Sequence, residues 1–301
     1  MQLKTVTRTS PWNAALKDGR VEPRGYTLAF EEVEPVTRAF RLMSRELAYD
    51  VTEMAATTYF VAREHGKPFT ALPVFLTRGL HHRAVLSRRP GDPRELEGER
   101  VGVNRGYTVT TGVWARGILA TEYGVDLDSI TWVRSDAEHV AEYEPPPNVE
   151  DLSPGEDLLD GDLRAVVGDV KSSELVPLIE DADAAAIRAL EERALWPVNH
   201  LVVVKDELLH AYPWLAEELW TLFKAAKDNY LGRLHNGAPQ TPQDEAMQAM
   251  QRVIGDDPLL YGITPNRQTI EAFMRFNVEQ QIIPQPMAVE EIFPHSVLAL
   301  A

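Results

Sequence analysis

Residues 101–123 read VGVNRGYTVTTGVWARGILATEY, and this stretch indicates the fold class. It begins with a short apolar strand, turns at Asn104-Arg105-Gly106, and continues as a helix from about Thr110 to Tyr123. The same alternation recurs along the chain, with buried strands predicted at 71–77, 130–133 and 201–204. Strands alternating with helices predict an α/β protein whose mostly parallel sheet is covered on both faces.

The composition limits the classes of function. The chain has 301 residues, a length that favours two domains, and it contains no cysteine, which excludes disulfides and thiolate metal sites. Its net charge of −16 argues against a nucleic-acid surface. We see no secretory signal and no apolar stretch long enough to span a membrane, so we expect a cytoplasmic protein without a membrane partner.

Three windows lack acidic residues although the chain is acidic. They run between Glu64 and Asp92, between Glu99 and Glu122, and between Glu192 and Asp206. Such gaps suit a pocket for an anion, where a negative side chain would repel the ligand. Buried strands, which carry few charges of either sign, would give the same pattern.

The turn and helix start at residues 104–111 form the first candidate site. A helix N-terminus offers free N–H groups and the positive end of its dipole to an anion. Thr110 or Thr111 can add a hydroxyl donor, and Arg105 can bind a carboxylate through two hydrogen bonds. Alternatively, the threonines only cap the helix.

Three further segments carry groups suited to acid–base chemistry or carboxylate binding. Arg78 follows a buried strand, and His82 close by could donate a proton near neutral pH. His200 enters an apolar strand, where it could equally be a core histidine with satisfied hydrogen bonds. Glu53 either faces a cleft, caps the following helix or points to solvent. Alternatively, the basic segment around Arg78 is a solvent-exposed loop and not part of a binding site.

The common sequence signatures for cofactors and metals are absent. There is no GxGxxG, GxxxxGK[ST], HExxH or GxSxG pattern, and the 8 histidines do not have metal-ligand spacing. We therefore expect no cofactor and no metal ligands.

Several of these segments, in this order, resemble the 4,5-dihydroxyphthalate decarboxylase family, which is related to the type II periplasmic solute-binding proteins. The matching segments cover most of the chain. They are residues 50–54, 71–78, 101–117, 196–203, 213–214, 261–267 and 279–280. The family pattern carries over to His82 and His200, whereas position 81 holds histidine in place of the family's arginine.

The resemblance implies a two-lobed fold with the ligand cleft between the lobes. Lobe I would comprise residues 1–98 and 203–301, and lobe II residues 99–202. The cleft would bring together Arg78 and His82 from one side and Arg105, Gly106, Tyr107, Thr110 and Thr111 from the other, with His200 near a crossing between the lobes.

The function implied is a cofactor-free decarboxylase of a hydroxylated aromatic carboxylic acid. His82 or His200 would be the acid, Glu53 or the other histidine the base, and the arginines would hold carboxylates. The ligand would be a small anionic aromatic molecule, and the sequence leaves open whether copies of the chain form a homo-oligomer. The alternatives are a non-catalytic binding protein for a small organic anion and another lyase of the same fold.

Overall fold

The computed structural model describes residues 1–159 and 163–300 and contains two β-sheets flanked by helices. The described strands are β1 (Gln2–Val6), β2 (Thr27–Phe30), β3 (Val51–Ala55), β4 (Phe69–Arg78), β5 (Val85–Ser87), β6 (Arg100–Val103), β7 (Thr131–Arg134), β8 (Val149–Asp151), β9 (Ala165–Val167), β10 (Val176–Pro177) and β11 (Val198–Lys205). The described helices are α1 (Ala14–Lys17), α2 (Thr37–Glu46), α3 (Ala56–Glu64), α4 (Thr110–Tyr123), α5 (Ala182–Arg193), α6 (Asp206–Ala211), α7 (Leu215–Asn236), α8 (Pro242–Ile254) and α9 (Arg267–Glu279).

The first sheet has the strand order β2-β1-β3-β11-β4. Strand β1 is parallel to β2 and β3, whereas β11 runs antiparallel to both of its neighbours. Leu201 to Val204 of β11 are buried in the core, as their apolar run predicts for a strand covered on both faces. The carboxyl ends of β1, β3 and β4 therefore lie at the same edge as the amino end of β11.

The second sheet has the order β10-β5-β9-β6-β7-β8. Strands β7 and β9 flank β6 in parallel, and β5 pairs antiparallel with β9. Because β5 already belongs to this sheet, the chain has crossed to lobe II before Val85 and not at residue 98. The return crossing likewise precedes Val198, because β11 pairs with the first sheet from that residue onward.

Helix α4 joins the two halves of the molecule. It spans Thr110 to Tyr123, as the sequence predicts, and ends at Gly124, whose φ of 65° lies in the left-handed region that glycine tolerates. Trp114 of α4 stacks on Phe273 of α9 with ring centroids 4.5 Å apart. A Cβ at Gly117 would lie 2.4 Å from the ring of Phe276, so this contact requires glycine.

Candidate active site

The carboxyl edges of the two sheets face each other across a cleft. On the lobe I side, the segment after β1, the strand β3 and the start of β11 contribute Arg8, Glu53 and His200. On the lobe II side, the loops after β6 and β7 contribute Arg105 and His139. Ligands of α/β folds bind beyond the carboxyl ends of strands, so we expect the ligand site at this edge.

Glu53 and His200 form a hydrogen-bonded pair at this edge. Glu53 Oε1 lies 2.6 Å from His200 Nδ1, and the glutamate side chain is 1% exposed. The backbone N–H of Arg8 donates to Glu53 Oε2 at 2.8 Å, and Thr77 Oγ1 donates to Oε1 at 3.5 Å. The carboxylate is thus held by three residues from β4, β11 and the segment after β1.

The carboxyl group of Glu53 is ionised despite its burial. Burial raises the pKa of Glu53, but the hydrogen bond and charge of His200, reinforced by Arg8, outweigh burial and bring the pKa below its ordinary value. An ionised carboxylate only accepts hydrogen bonds, so we assign the proton to Nδ1 of His200. Nε2 of His200 makes no hydrogen bond within residues 1–159 and 163–300.

A cavity of about 170 Å³ lies beside Glu53 of this pair. Glu53 and Thr77 line it, together with Arg8, Ser10 and Trp12. Ser10 Oγ is buried there and has no hydrogen-bond partner among the described residues. The Arg8 side chain is half exposed, with Nη2 3.7 Å from Glu53 Oε1. The cavity thus offers a hydroxyl, a cation and a carboxylate to a small ligand.

A second histidine, His139, stands on the lobe II side of the cleft. Its Nδ1 lies 2.9 Å from Thr58 Oγ1 of lobe I. Burial, reinforced by the charges of Arg41 and Arg105, lowers the pKa of His139 to about 4, so its imidazole is neutral at pH 7. The ring of Phe40 meets His139 and His200 edge-on, with centroids 5.9 and 5.0 Å away.

His82 does not join this pair. Its Nε2 lies 2.8 Å from Glu122 Oε2, and both residues line a small cavity between α4 and α5. His81 lines an open groove with lobe II loops, and its Nε2 lies 3.0 Å from Oδ1 of Asn199 in β11. Burial lowers the pKa of His81 to about 4. Since residues 81–84 form a turn and not a strand, the sequence could not decide which histidine faces the cleft.

Arg78 uses its guanidinium inside lobe I. Nη1 donates to the carbonyl of Trp196 at 2.8 Å, and Nη2 donates to the carbonyl of Leu260 at 2.7 Å and to Asn266 Oδ1. Burial lowers the pKa of Arg78 to about 9. Both terminal nitrogens therefore stabilise loops, and neither is turned toward the Glu53 cavity.

The backbone donors at residues 106–108 are occupied by a carboxylate of the chain itself. Glu138 accepts hydrogen bonds from the N–H groups of Tyr107 at 2.7 Å and Thr108 at 3.0 Å, and from Arg134 Nη1 at 3.1 Å. A Cβ at Gly106 would lie 2.4 Å from Glu138 Oε2, which explains the glycine. The sequence predicts a ligand anion at this segment, whereas in the structure the carboxylate of Glu138 accepts the hydrogen bonds of Tyr107 and Thr108.

The remaining predicted residues divide between the lobe contact and open surface. Thr110 Oγ1 lies 3.2 Å from both the N–H and the Oγ1 of Thr57, and so joins the N-termini of α4 and α3. Thr111 lines an open groove of about 770 Å³ with His81. Within the described parts of the chain, the guanidinium of Arg105 has no hydrogen bond or ion pair, and burial lowers its pKa.

Sequence reasoning missed Arg8, Ser10, Glu138 and His139. The positions of Arg8 and Ser10 could have identified them, because both residues follow the first strand at the carboxyl edge where ligands bind. Glu138 and His139 lie in a loop after β7 whose sequence has no pattern of its own. No three His, Asp or Glu side chains converge as metal ligands in the described ranges, and no helix there has the length and apolar character that crossing a bilayer needs.

Comparison with known proteins bears on both the chain and its fold. No protein-family profile matches the chain. It is 28% identical to 4,5-dihydroxyphthalate decarboxylase of Comamonas testosteroni over 92% of each chain. The structure is similar to the periplasmic aliphatic sulphonate binding protein SsuA of Escherichia coli, with a TM-score of 0.54, 8% identity and coverage of 99% of this chain and 98% of that one.

A second solved structure of the same kind supports the fold. The alkanesulfonate-binding protein SsuA of Xanthomonas axonopodis pv. citri, bound to MOPS, matches with a TM-score of 0.53 and 14% identity over 97% of each chain. At these identities the likeness establishes the fold alone. The resemblance and the fold class predicted from the sequence are thus confirmed: the chain is similar to 4,5-dihydroxyphthalate decarboxylase over most of its length and has the two-lobed α/β fold of periplasmic binding proteins.

Proposed function

We propose that this chain is a cofactor-free decarboxylase of a hydroxylated aromatic carboxylic acid similar to 4,5-dihydroxyphthalate. The observation that supports this most strongly is the buried Glu53–His200 pair beside a cavity that also holds Arg8 and the unpaired hydroxyl of Ser10. The similarity to a decarboxylase over most of the chain favours this activity over other acid–base reactions.

The reaction needs one proton delivered to carbon. A hydroxyl para to the carboxylate pushes electrons into the ring as it gives up its proton, and the ring carbon that bears the carboxylate takes a proton. The carbon–carbon bond then breaks, CO₂ leaves, and the electron pair of that bond restores the aromatic ring. The phenol regains its proton, so the net change is uptake of one proton and loss of CO₂.

The chain's own residues supply these parts. Glu53 lines the cavity and accepts the hydrogen bond of the substrate hydroxyl, which draws the phenolic proton away from oxygen. His200 keeps Nδ1 bonded to Glu53, takes up one proton from water at Nε2, and delivers that proton to the ring carbon, so the proton consumed in the net reaction comes from solvent.

Cations on both sides of the cleft hold carboxylate groups. Arg8 lies at the Glu53 cavity, and Arg105 lies on the opposite lobe with its guanidinium unpaired within the described residues. Arginine binds carboxylates through two parallel hydrogen bonds, which fixes the orientation of the ring as well as its position.

A non-catalytic binding protein for a small organic anion is the second candidate. The sulfonate-binding proteins with this fold favour it, since their names describe binding proteins for small anions. Such a protein would need the cations and the hydroxyl but would have no use for a mobile proton at His200.

Incubation of the purified chain with 4,5-dihydroxyphthalate, 3,4-dihydroxybenzoate and 4-hydroxybenzoate separates the two candidates. We expect CO₂ release from at least one acid, with the same rate in the presence of EDTA. Stabilisation against heat by an acid without any CO₂ release would overturn the decarboxylase and support the binding protein. If none of the three acids releases CO₂ or stabilises the chain against heat, both candidates are contradicted for this ligand class.

A further inference from the structure

An apolar cavity adjoins the Glu53 cavity on the lobe I side. It has a volume of about 280 Å³, and its walls include Trp12, Trp196, Met247 and Met250. Trp12, together with Thr77 and Gln243, lines both cavities, so the two spaces share walls. The two cavities are therefore immediate neighbours, and the side chains of Trp12, Thr77 and Gln243 lie at their common border.

Helix α8 forms the outer wall of this cavity. Met247 and Met250 are three residues apart and thus lie on the same face of the helix. The helix is held at its start by Asp244, which accepts hydrogen bonds from Tyr230 Oη at 3.0 Å and Arg233 Nη2 at 2.9 Å. The wall is thus fixed to α7 at one end, with its two methionines turned toward the cavity.

The indole N–H groups around the cavity are satisfied within the chain. Trp12 Nε1 donates to the carbonyl of Leu76 at 2.9 Å, and Trp196 Nε1 donates to the carbonyl of Pro258 at 2.7 Å. Arg78 Nε, in contrast, is buried without a hydrogen-bond partner in the described chain. The ring faces and thioethers left for a ligand suit an aromatic or branched aliphatic group.

The volumes indicate how large the ligand is. An apolar protein cavity of about 150 Å³ accommodates one benzene molecule. The Glu53 cavity, at about 170 Å³, has room for one ring, and the cavity beneath α8, at about 280 Å³, has room for a second group of at least that size. A single dihydroxylated ring would leave the second cavity unfilled.

We propose that the cavity beneath α8 is a subsite for an aryl or branched-alkyl substituent of the substrate. The chain would then act on an aromatic hydroxy acid with two apolar groups, the reacting ring beside Glu53 and the substituent between the tryptophans and the methionines. This inference rests on the proposed function for the identity of the reacting ring, but the subsite itself is detected by binding alone.

Isothermal titration of the wild-type chain with 3,4-dihydroxybenzoate and with its 2-, 5- and 6-phenyl derivatives tests the subsite. We expect at least one phenyl derivative to bind about tenfold more tightly than the single-ring acid, because a further ring surface leaves water. Met250→Trp and Met247→Trp, which fill the cavity, should each abolish that gain and leave the affinity of the single-ring acid unchanged. Ala249→Trp on the exposed side of α8 is the control and should preserve the gain.

Equal affinity for all four acids would overturn the subsite, as would a gain that survives both methionine substitutions in variants that melt like the wild type. CO₂ release is followed in parallel samples, so the two proposals fail separately. Release from the single-ring acid without any preference for a phenyl group contradicts only the subsite. Preferential binding of a phenyl derivative without CO₂ release supports the subsite and contradicts the decarboxylase.

Discussion

Glu53 and His200 are diagonal neighbours on adjacent antiparallel strands. Glu53 of β3 is opposite Val202 of β11, and His200 is opposite Ala55, so the pair spans two positions of the register on one face of the sheet. The backbone of the central sheet therefore sets their 2.6 Å contact, and the N–H of Arg8 after β1 holds the second carboxylate oxygen of Glu53. A proton-transfer pair fixed in this way is preorganised before any ligand binds.

The pair should act as one unit in catalysis. We expect Glu53→Gln and His200→Asn each to lower kcat about 100-fold or more, since general acid–base catalysis contributes that much. The double variant should be about as slow as the slower single variant, because each substitution already removes the shared function. Steady-state kinetics on the three variants checks this, and effects on kcat that multiply would show that the residues act independently.

His82 provides a matched control, because it also pairs with a glutamate but lies between α4 and α5. His82→Asn should leave kcat and KM within about twofold of the wild type while lowering the melting temperature, since a buried polar contact is weakened. Loss of turnover in a variant with an unchanged melting temperature would show that His82 takes part in catalysis.

Arg8 should contribute mainly to binding of the acid. Its guanidinium lies at the Glu53 cavity, whereas its backbone N–H holds Glu53 and is unaffected by a side-chain change. Arg8→Gln should raise KM about tenfold with a small effect on kcat, as expected when an interaction is equal in ground and transition states. Arg24→Gln, at an exposed position, serves as the control; an unchanged KM in Arg8→Gln would remove Arg8 from the binding site.

Glu138 should contribute to stability because it satisfies buried donors. Glu138→Gln places an amide NH₂ among the N–H groups of Tyr107 and Thr108 and removes a negative charge from Arg134. We expect the free energy of unfolding to fall by about 1–3 kcal/mol, the usual effect of leaving buried polar groups unpaired. Urea denaturation measures this, with the exposed Glu144→Gln as the control; equal stabilities would mean that Glu138 is not needed at residues 106–108.

Acid should destabilise the fold through His81 and His139. Burial brings both pKa values to about 4 in the folded chain, below the ordinary value of 6.5, so between these values the unfolded chain binds protons that the folded chain does not. Stability is therefore complete above about pH 6.5 and falls as the pH is lowered toward 4, by up to about 3 kcal/mol per histidine.

Urea titrations from pH 7 to 4.5 follow this loss. His139→Gln and His81→Asn should each reduce the pH dependence, whereas a substitution of the exposed His210 should leave it unchanged. A wild-type stability that stays constant over this range would show that neither histidine is held neutral by burial.

The sequence was sufficient for the local structure of α4 and for naming both residues of the central pair as candidates. Period and turn residues predicted α4 with its observed ends, because a glycine stops that helix and its own pattern needs no distant partner. Glu53 and His200 were both identified as candidates, yet nothing in the sequence showed that they touch. Their contact depends on which strands become neighbours and in what register, which is decided by long-range packing.

The predicted ligand contacts that the structure does not show share one physical cause. Hydrogen-bond donors expected to bind the ligand are instead bonded to groups from distant loops of the chain. A glycine turn before a helix predicted a ligand anion at this segment, but the sequence cannot show that Glu138, from a later loop, accepts the hydrogen bonds of Tyr107 and Thr108. Arg78 was expected to hold substrate, whereas the loops that supply its carbonyl partners lie more than a hundred residues further along the chain. Only the folded chain shows which donors remain free.

The initial rate of CO₂ release from 4,5-dihydroxyphthalate, measured for the wild type and for His200→Asn under identical conditions, tests the proposed function most directly. Proton delivery from His200 predicts steady release by the wild type and a rate at least about 100-fold lower in the variant, which should still bind the acid. Release that is equal in the two proteins, or absent from the wild type although the acid binds, would contradict decarboxylation by the Glu53–His200 pair.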